Sequence, residues 1–173
     1  MSWPRAIGQI PLSYAERPGG RPFNARDHYT SKYIDVGNDP LYPFGHGLTY
    51  GRFTLANFAV TPDRISEKDT IEARVDVTNE GAHSAEETVF LFTHDKIATV
   101  TRPLLELKGV GKVTLRPGET RTVRIAVPAT ELRFLGRDLT PVFEPGEVEI
   151  LVGPSADRSQ LLVQTVLLRQ QAD

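Results

Sequence analysis

The chain has 173 residues and a formal net charge of -2, with 20 Lys and Arg against 22 Asp and Glu. That length suits one domain, or one domain with an appendage, and folding buries roughly 70% of the surface of a chain this size, enough for a real core. The near-neutral balance excludes binding by phosphate neutralisation, no run reaches the ~20 apolar residues of a membrane span, and the absence of cysteine excludes a disulfide scaffold, thiolate chemistry and Cys-ligated zinc.

The start, Met1-Ser2-Trp3-Pro4-Arg5, lacks the basic-then-apolar pattern of a secretory signal, so the chain as written is expected in the cytoplasm. Residues 1–50 hold all five tyrosines, the single tryptophan, six of the thirteen prolines and six of the fourteen glycines. They show no sustained period of 3.6 or 2, and Arg17-Pro18-Gly19-Gly20-Arg21-Pro22 is a run of chain breakers. The segment is too aromatic for a disordered linker. It reads as an extended arm whose rings pack on another surface, against the alternative of a loose tail.

From residue 51 the signal is β. Thr70–Thr78 alternates strictly, with Ile71, Ala73, Val75 and Val77 on one face. Asn79-Glu80-Gly81 supplies a turn. Glu87–Thr93 is apolar on both faces and predicts a central strand. Leu104, Leu105 and Leu107 precede Gly109 and Gly111, after which Val113 and Leu115 resume. Arg116-Pro117-Gly118-Glu119 is a turn, and Arg121–Val127 alternates again until Pro128, which cannot donate to a ladder. Ala129–Gly136 fits either one helical turn or a short strand. Glu144-Pro145-Gly146-Glu147 predicts a second turn, leading to Val148, Ile150 and Val152, and a last apolar run covers Leu161–Leu168. About seven strands with turns between them predict an all-β, immunoglobulin-like antiparallel sandwich over 51–170, preceded by the irregular N-terminal arm of 1–50.

Little in the sandwich points to chemistry. His28, His46, His83 and His94 have no local metal-pair spacing. His94-Asp95 and His83-Ser84 are expected in loops, and no nucleophile-elbow sequence is present. Glu86 and Glu87 would point to opposite faces of a strand. Asp35 and Asp39 could form a carboxylate pair, but Gly37 and Asn38 between them favour a turn. Lys108-Gly109-Val110-Gly111-Lys112 has no following helix to make a phosphate cradle. Gly45-His46-Gly47 is a tight turn, either presenting His46 to a ligand or simply a loop corner.

The run Asn38-Asp39-Pro40-Leu41-Tyr42-Pro43-Phe44-Gly45-His46-Gly47-Leu48-Thr49-Tyr50 resembles the junction before the C-terminal fibronectin type III-like domain of glycoside hydrolase family 3 β-glucosidases. Trp3–Leu12, Gly20-Arg21-Pro22 and Tyr29–Asp35 fit that family's pattern in order, as do Val77–Gly81, Leu107-Lys108-Gly109, Leu115–Thr120 and Pro145-Gly146-Glu147 further on. The resemblance implies a fibronectin type III-like sandwich. It implies that the nucleophilic Asp and the acid/base Glu belong to a barrel and an α/β sandwich domain that precede anything in this chain, so no catalytic residue carries over. No cofactor or metal is implied. Family members are often periplasmic or secreted.

The arm would then dock the catalytic barrel and α/β sandwich domains as partners. Trp3, Tyr29, Tyr33, Tyr42, Phe44, His46 and Tyr50 are the expected interdomain or ligand contacts, and the patch around Tyr42, Phe44 and Tyr50 the expected exposed apolar site. The expected function is a non-catalytic accessory module. The alternatives are a polysaccharide-binding module and a protein-interaction module, one partner being a second copy of the chain.

Overall fold

The computed structural model describes residues 42–100 and 102–170. Among them are ten strands: β1 (Phe53–Thr61), β2 (Arg64–Ile65), β3 (Thr70–Asn79), β4 (Ala85–Asp95), β5 (Glu106–Leu115), β6 (Thr120–Pro128), β7 (Phe134–Leu135), β8 (Pro141–Val142), β9 (Gly146–Gly153) and β10 (Leu162–Leu168). Two single 3-10 turns, Ala129–Leu132 and Arg158–Gln160, complete the regular structure. Seven strands have seven residues or more; the number equals the expected one because β1 is added while the apolar pieces around Leu105 and Val113 merge into β5.

The strands form two main sheets, ordered β1-β3-β6 and β2-β10-β9-β4-β5, and a small β7-β8 hairpin. All ladders are antiparallel except the short β2–β10 pair. The sheets bury their facing sides together. Ile71, Ala73, Val75 and Val77 of β3 meet Val89 and Leu91 of β4, Val148, Ile150 and Val152 of β9, and Val123, Ile125 and Val127 of β6 in one core. The period-2 alternation of these strands leaves no other way to remove that apolar surface from water.

β5 and β6 lie at the edges of different sheets and close the sandwich along one side. Their close approach explains the glycines that interrupt the apolar pattern of β5. A Cβ on Gly109 would lie 2.5 Å from Ile125 Cγ2, and one on Gly111 2.7 Å from Val123 Cγ1. Residues 106–115 are therefore one strand rather than two apolar pieces. The β5–β6 turn uses Gly118 at φ +74, a conformation that costs glycine nothing. It is held by Asn79, fully buried, whose Nδ2 donates to the carbonyls of Leu115 (3.0 Å) and His83 (2.9 Å) while its Oδ1 accepts from Gly81 N (2.9 Å).

Three expectations change. His94 and Asp95 lie in β4, not in a loop, because β9 extends the ladder to the pairs His94–Glu149 and Asp95–Val148. Gly146 and Glu147 are ladder residues of β9, paired with Leu168 and Leu167, so that turn ends earlier than expected. Strand β1, which the sequence pattern does not announce, carries an irregularity between Ala56 and Ala59 with Asn57 at φ +53. The bulge breaks the alternation that would have revealed it. Ala129–Gly136 holds both alternatives in succession, a 3-10 turn and then strand β7.

Candidate functional site

The double-sided apolar run in β4 determines what happens on the outer face of the larger sheet. Val89 and Leu91 point into the main core, so Phe90 and Phe92 must point outward. Phe92, Leu151 of β9, Leu105 and Leu161 form a second buried cluster there, packed by Phe44, Phe90, Leu107 and Ala156. Two connections roof this cluster, one leading into β5 through Leu105 and one following β9 through Ala156 and Leu161. Phe44, from the segment before β1, completes the roof.

The segment reaches that position through a turn. His46 N donates to Pro43 O at 3.0 Å and Gly45 sits at φ +83. The Phe44 ring meets the Phe90 ring edge-on, with centroids 5.4 Å apart, and Phe90 continues to Phe92 at 6.1 Å. Ala156 N donates to Phe44 O at 2.7 Å. Tyr42 and His46 pack ring to ring at 4.9 Å, and Tyr42 is about half exposed while Tyr50 and Leu48 are fully exposed.

Charged groups gather on both faces of the larger sheet near one end of β4. On the outer face, beside the apolar cluster, Glu149 accepts from His94 Nδ1 (2.9 Å) and Arg158 (3.2 Å), with Lys96 Nζ 3.7 Å away. Burial pushes the Glu149 carboxyl up, but the His94 hydrogen bond and the charges of His94, Arg158 and Lys96 outweigh it and hold the group below its usual range. On the opposite face, at the edge strand β5 where Glu106 pairs with Thr93, Glu106 bridges Arg102 and Lys108, each at 2.8 Å, and the Arg102 guanidinium lies 4.1 Å over the Phe134 ring. Burial again pushes Glu106 up, and Lys108 and Arg102 together bring it below the usual carboxylate range. Both carboxylates are thus held ionised by cations, which suits bracing and not proton donation.

Burial raises two other carboxyls, Glu87 and Asp95. They lie at opposite ends of β4, about 26 Å apart along an extended strand. Two carboxyls acting on one glycosidic bond sit within roughly 5–9.5 Å of each other, so these two cannot work as a pair. Among the described residues, no group of three or more His, Cys, Asp or Glu side chains is placed to hold a metal ion.

Comparison with known proteins fits this geometry. The fibronectin type III-like domain family matches residues 87–156. The periplasmic β-glucosidase of Salmonella typhimurium is 36% identical over 160 residues, covering 91% of this chain and 21% of that enzyme. A β-xylosidase of Formosa agariphila is 38% identical over 161 residues, covering 93% of the chain and 22% of the relative. The crystal structure of a Listeria innocua β-glucosidase in complex with isofagomine superimposes with a TM-score of 0.78 at 31% identity, over 99% of this chain and 24% of that one. The chain matches the C-terminal region of glycoside hydrolase family 3 β-glucosidases. It spans about a fifth of the length of the curated relatives named here.

The fibronectin type III-like domain brings together only part of the residue set expected from sequence. Tyr42, Phe44 and His46 share one turn on the outer sheet face. Tyr50 stands apart, on an exposed stretch before β1. Phe44 is not part of an exposed patch as expected: its ring is half-buried against Phe90. Trp3, Tyr29 and Tyr33 lie outside the described residues. Sequence reasoning missed the receiving side of the turn, Phe90, Ser155 and Ala156. Its one signal was the outward-facing aromatic pair in β4, which demands cover on a second face.

Proposed function

We propose that this fibronectin type III-like domain is a non-catalytic accessory module of a family 3 β-glucosidase, which docks and stabilises the barrel and α/β sandwich domains that carry the acid pair. One observation carries the reading: nearly the whole chain aligns with a fifth of each glycosidase. The structure supports it through the segment before β1, whose Tyr42, His46, Leu48 and Tyr50 offer large, largely unburied contact area beside a firmly seated Phe44. The arm of 1–50 acts as the docking element and 51–170 as the body it serves.

The test is a chimera. The matching fifth of the Salmonella enzyme is deleted in one variant and replaced by this chain in another. The deletion is expected to lose thermal stability and hydrolysis of an aryl β-glucoside together, and the chimera to recover both. This chain alone is expected to give no turnover at stoichiometric concentration. Turnover by the isolated chain, or a deletion that leaves the enzyme unaltered, overturns the reading.

A second reading is a polysaccharide-binding module, favoured by the exposed, paired rings of Tyr42 and His46. Retention on insoluble polysaccharide, lost with Tyr42→Ala, would support it.

A further inference from the structure

Three features converge on two adjacent residues. The Phe44 ring packs on Phe90. The Phe44 carbonyl accepts the Ala156 amide at 2.7 Å. Gly45 occupies a left-handed conformation, φ +83, in a space where a Cβ would lie 2.8 Å from Phe90 Cε2 and 3.2 Å from Ser155 Cα. Ser155 and Phe90 belong to the sandwich and are themselves held, Ser155 being buried and Phe90 packed into the second cluster. The sandwich therefore presents a shaped notch that accepts an aromatic ring, one main-chain carbonyl and a residue without a side chain.

The chain beyond the notch behaves differently. From His46 to Tyr50 every residue is exposed, Gly47 has nothing within 4 Å of its Cβ direction, and Leu48 and Tyr50 face solvent entirely. The backbone is fastened again at Arg52, whose carbonyl accepts Glu80 N at 2.7 Å. Between Gly45 and Gly51 the chain can span about 20 Å if fully extended. Without the notch contact, Phe44 and everything before it could leave the domain anywhere within that radius. With it, the polypeptide leaves from one point on the outer face of the larger sheet.

We propose that Phe44 and Gly45 are a clasp: the notch formed by Phe90, Ser155 and Ala156 recognises this dipeptide and fixes the point and direction from which the upstream chain approaches the sandwich. The contacts of the sandwich thus extend ahead of residue 51, to the Phe44 ring. This clasp is a property of the chain itself, and it stands or falls separately from the accessory reading above.

The experiment uses the full chain. Because it contains no cysteine, Tyr42→Cys gives a unique site for a nitroxide label. Amide exchange and paramagnetic relaxation are measured by NMR with and without Gly45→Val, and amide exchange alone in Phe44→Ala. The clasp requires that either substitution speeds exchange of the Ala156 amide severalfold while Val75 and Val77 of β3 keep their protection. It requires that Gly45→Val weakens relaxation at Ala156 and its neighbours and spreads it over other surfaces. An Ala156 amide unaffected by Gly45→Val, or a relaxation pattern that does not change, overturns the proposal. So does loss of protection at β3 equal to that at Ala156 in both variants, since Phe44 would then be an ordinary core residue.

Discussion

Gly111 tests whether the sheets close along β5 and β6 by the absence of a side chain. A Cβ at this position would lie 2.7 Å from Val123 Cγ1 and 3.3 Å from Ile125 Cγ1, and both neighbours are buried core residues with short, branched side chains that cannot swing away. Overpacking of this kind costs about 1–3 kcal/mol, against roughly 0.5–1 kcal/mol gained by replacing glycine within a strand. Gly111→Ala should therefore destabilise by about 1–2 kcal/mol. Val123→Ala removes two methyl groups from a nearly closed site and should cost about 2 kcal/mol. In the double variant the new methyl occupies the space the valine vacates. Its cost should fall below the sum of the singles by at least about 1 kcal/mol. Gly146→Ala is the control: nothing lies within 4 Å of its Cβ direction, so the change should be neutral or slightly stabilising. Urea unfolding followed by far-UV circular dichroism suits the measurement, because the only tryptophan, Trp3, lies in the arm. Singles that add to within about 0.5 kcal/mol would refute the argument that these two positions compete for one space.

Glu149 gives a pH-dependent prediction. Its native pKa is depressed, so its ionised form adds stability that is present above the unfolded carboxyl value of about 4.3 and is lost as pH falls through the native one. Thermal melts of the protein and its Glu149→Gln variant should differ at about pH 6 and draw together as the pH falls below the ordinary carboxyl value of about 4.3; a difference that stays constant refutes it. Asn79→Ala should cost about 2 kcal/mol, because it strands the Leu115 carbonyl at a buried site and removes the half-buried bonds to the His83 carbonyl and the Gly81 amide. Denaturant unfolding that shows a loss below about 1 kcal/mol would mean that water replaces the side chain there.

The sandwich was legible where burial follows a simple period. In β3 the alternation Ile71, Ala73, Val75, Val77 corresponds to four buried side chains separated by solvated or half-buried ones, since one face of an antiparallel sheet meets the core and the other meets water. Legibility failed where local geometry departs from that period. The bulge at Asn57 hid β1, and the glycines of β5 looked like breaks because their reason, the methyls of Val123 and Ile125, lies on another strand. The position of Phe44 was not legible at all. The arm has no periodicity, and the residues that receive it come from β4 and from the connection after β9, more than forty and more than a hundred positions away.

The outer face of the larger sheet explains why the arm matters to a fold that could close without it. An antiparallel sandwich usually needs cover on one face of each sheet. Here Phe90, Phe92 and Leu151 place large apolar groups on the second face as well. Leu105 and Leu161 pack over that surface, and the ionised Glu149 ties down charged neighbours beside it. What is left is the flank of Phe90, filled by one ring from the arm. Full burial of a phenylalanine is worth about 1.5–3 kcal/mol, and Phe44 is half-buried, so its contact contributes about 1 kcal/mol. That is too little to hold the sandwich together, yet it favours the seated Phe44 ring severalfold, since about 1.4 kcal/mol is a tenfold population ratio. A contact of that size serves positioning better than stability. It biases where the upstream chain lies while leaving the body of the domain independent of it.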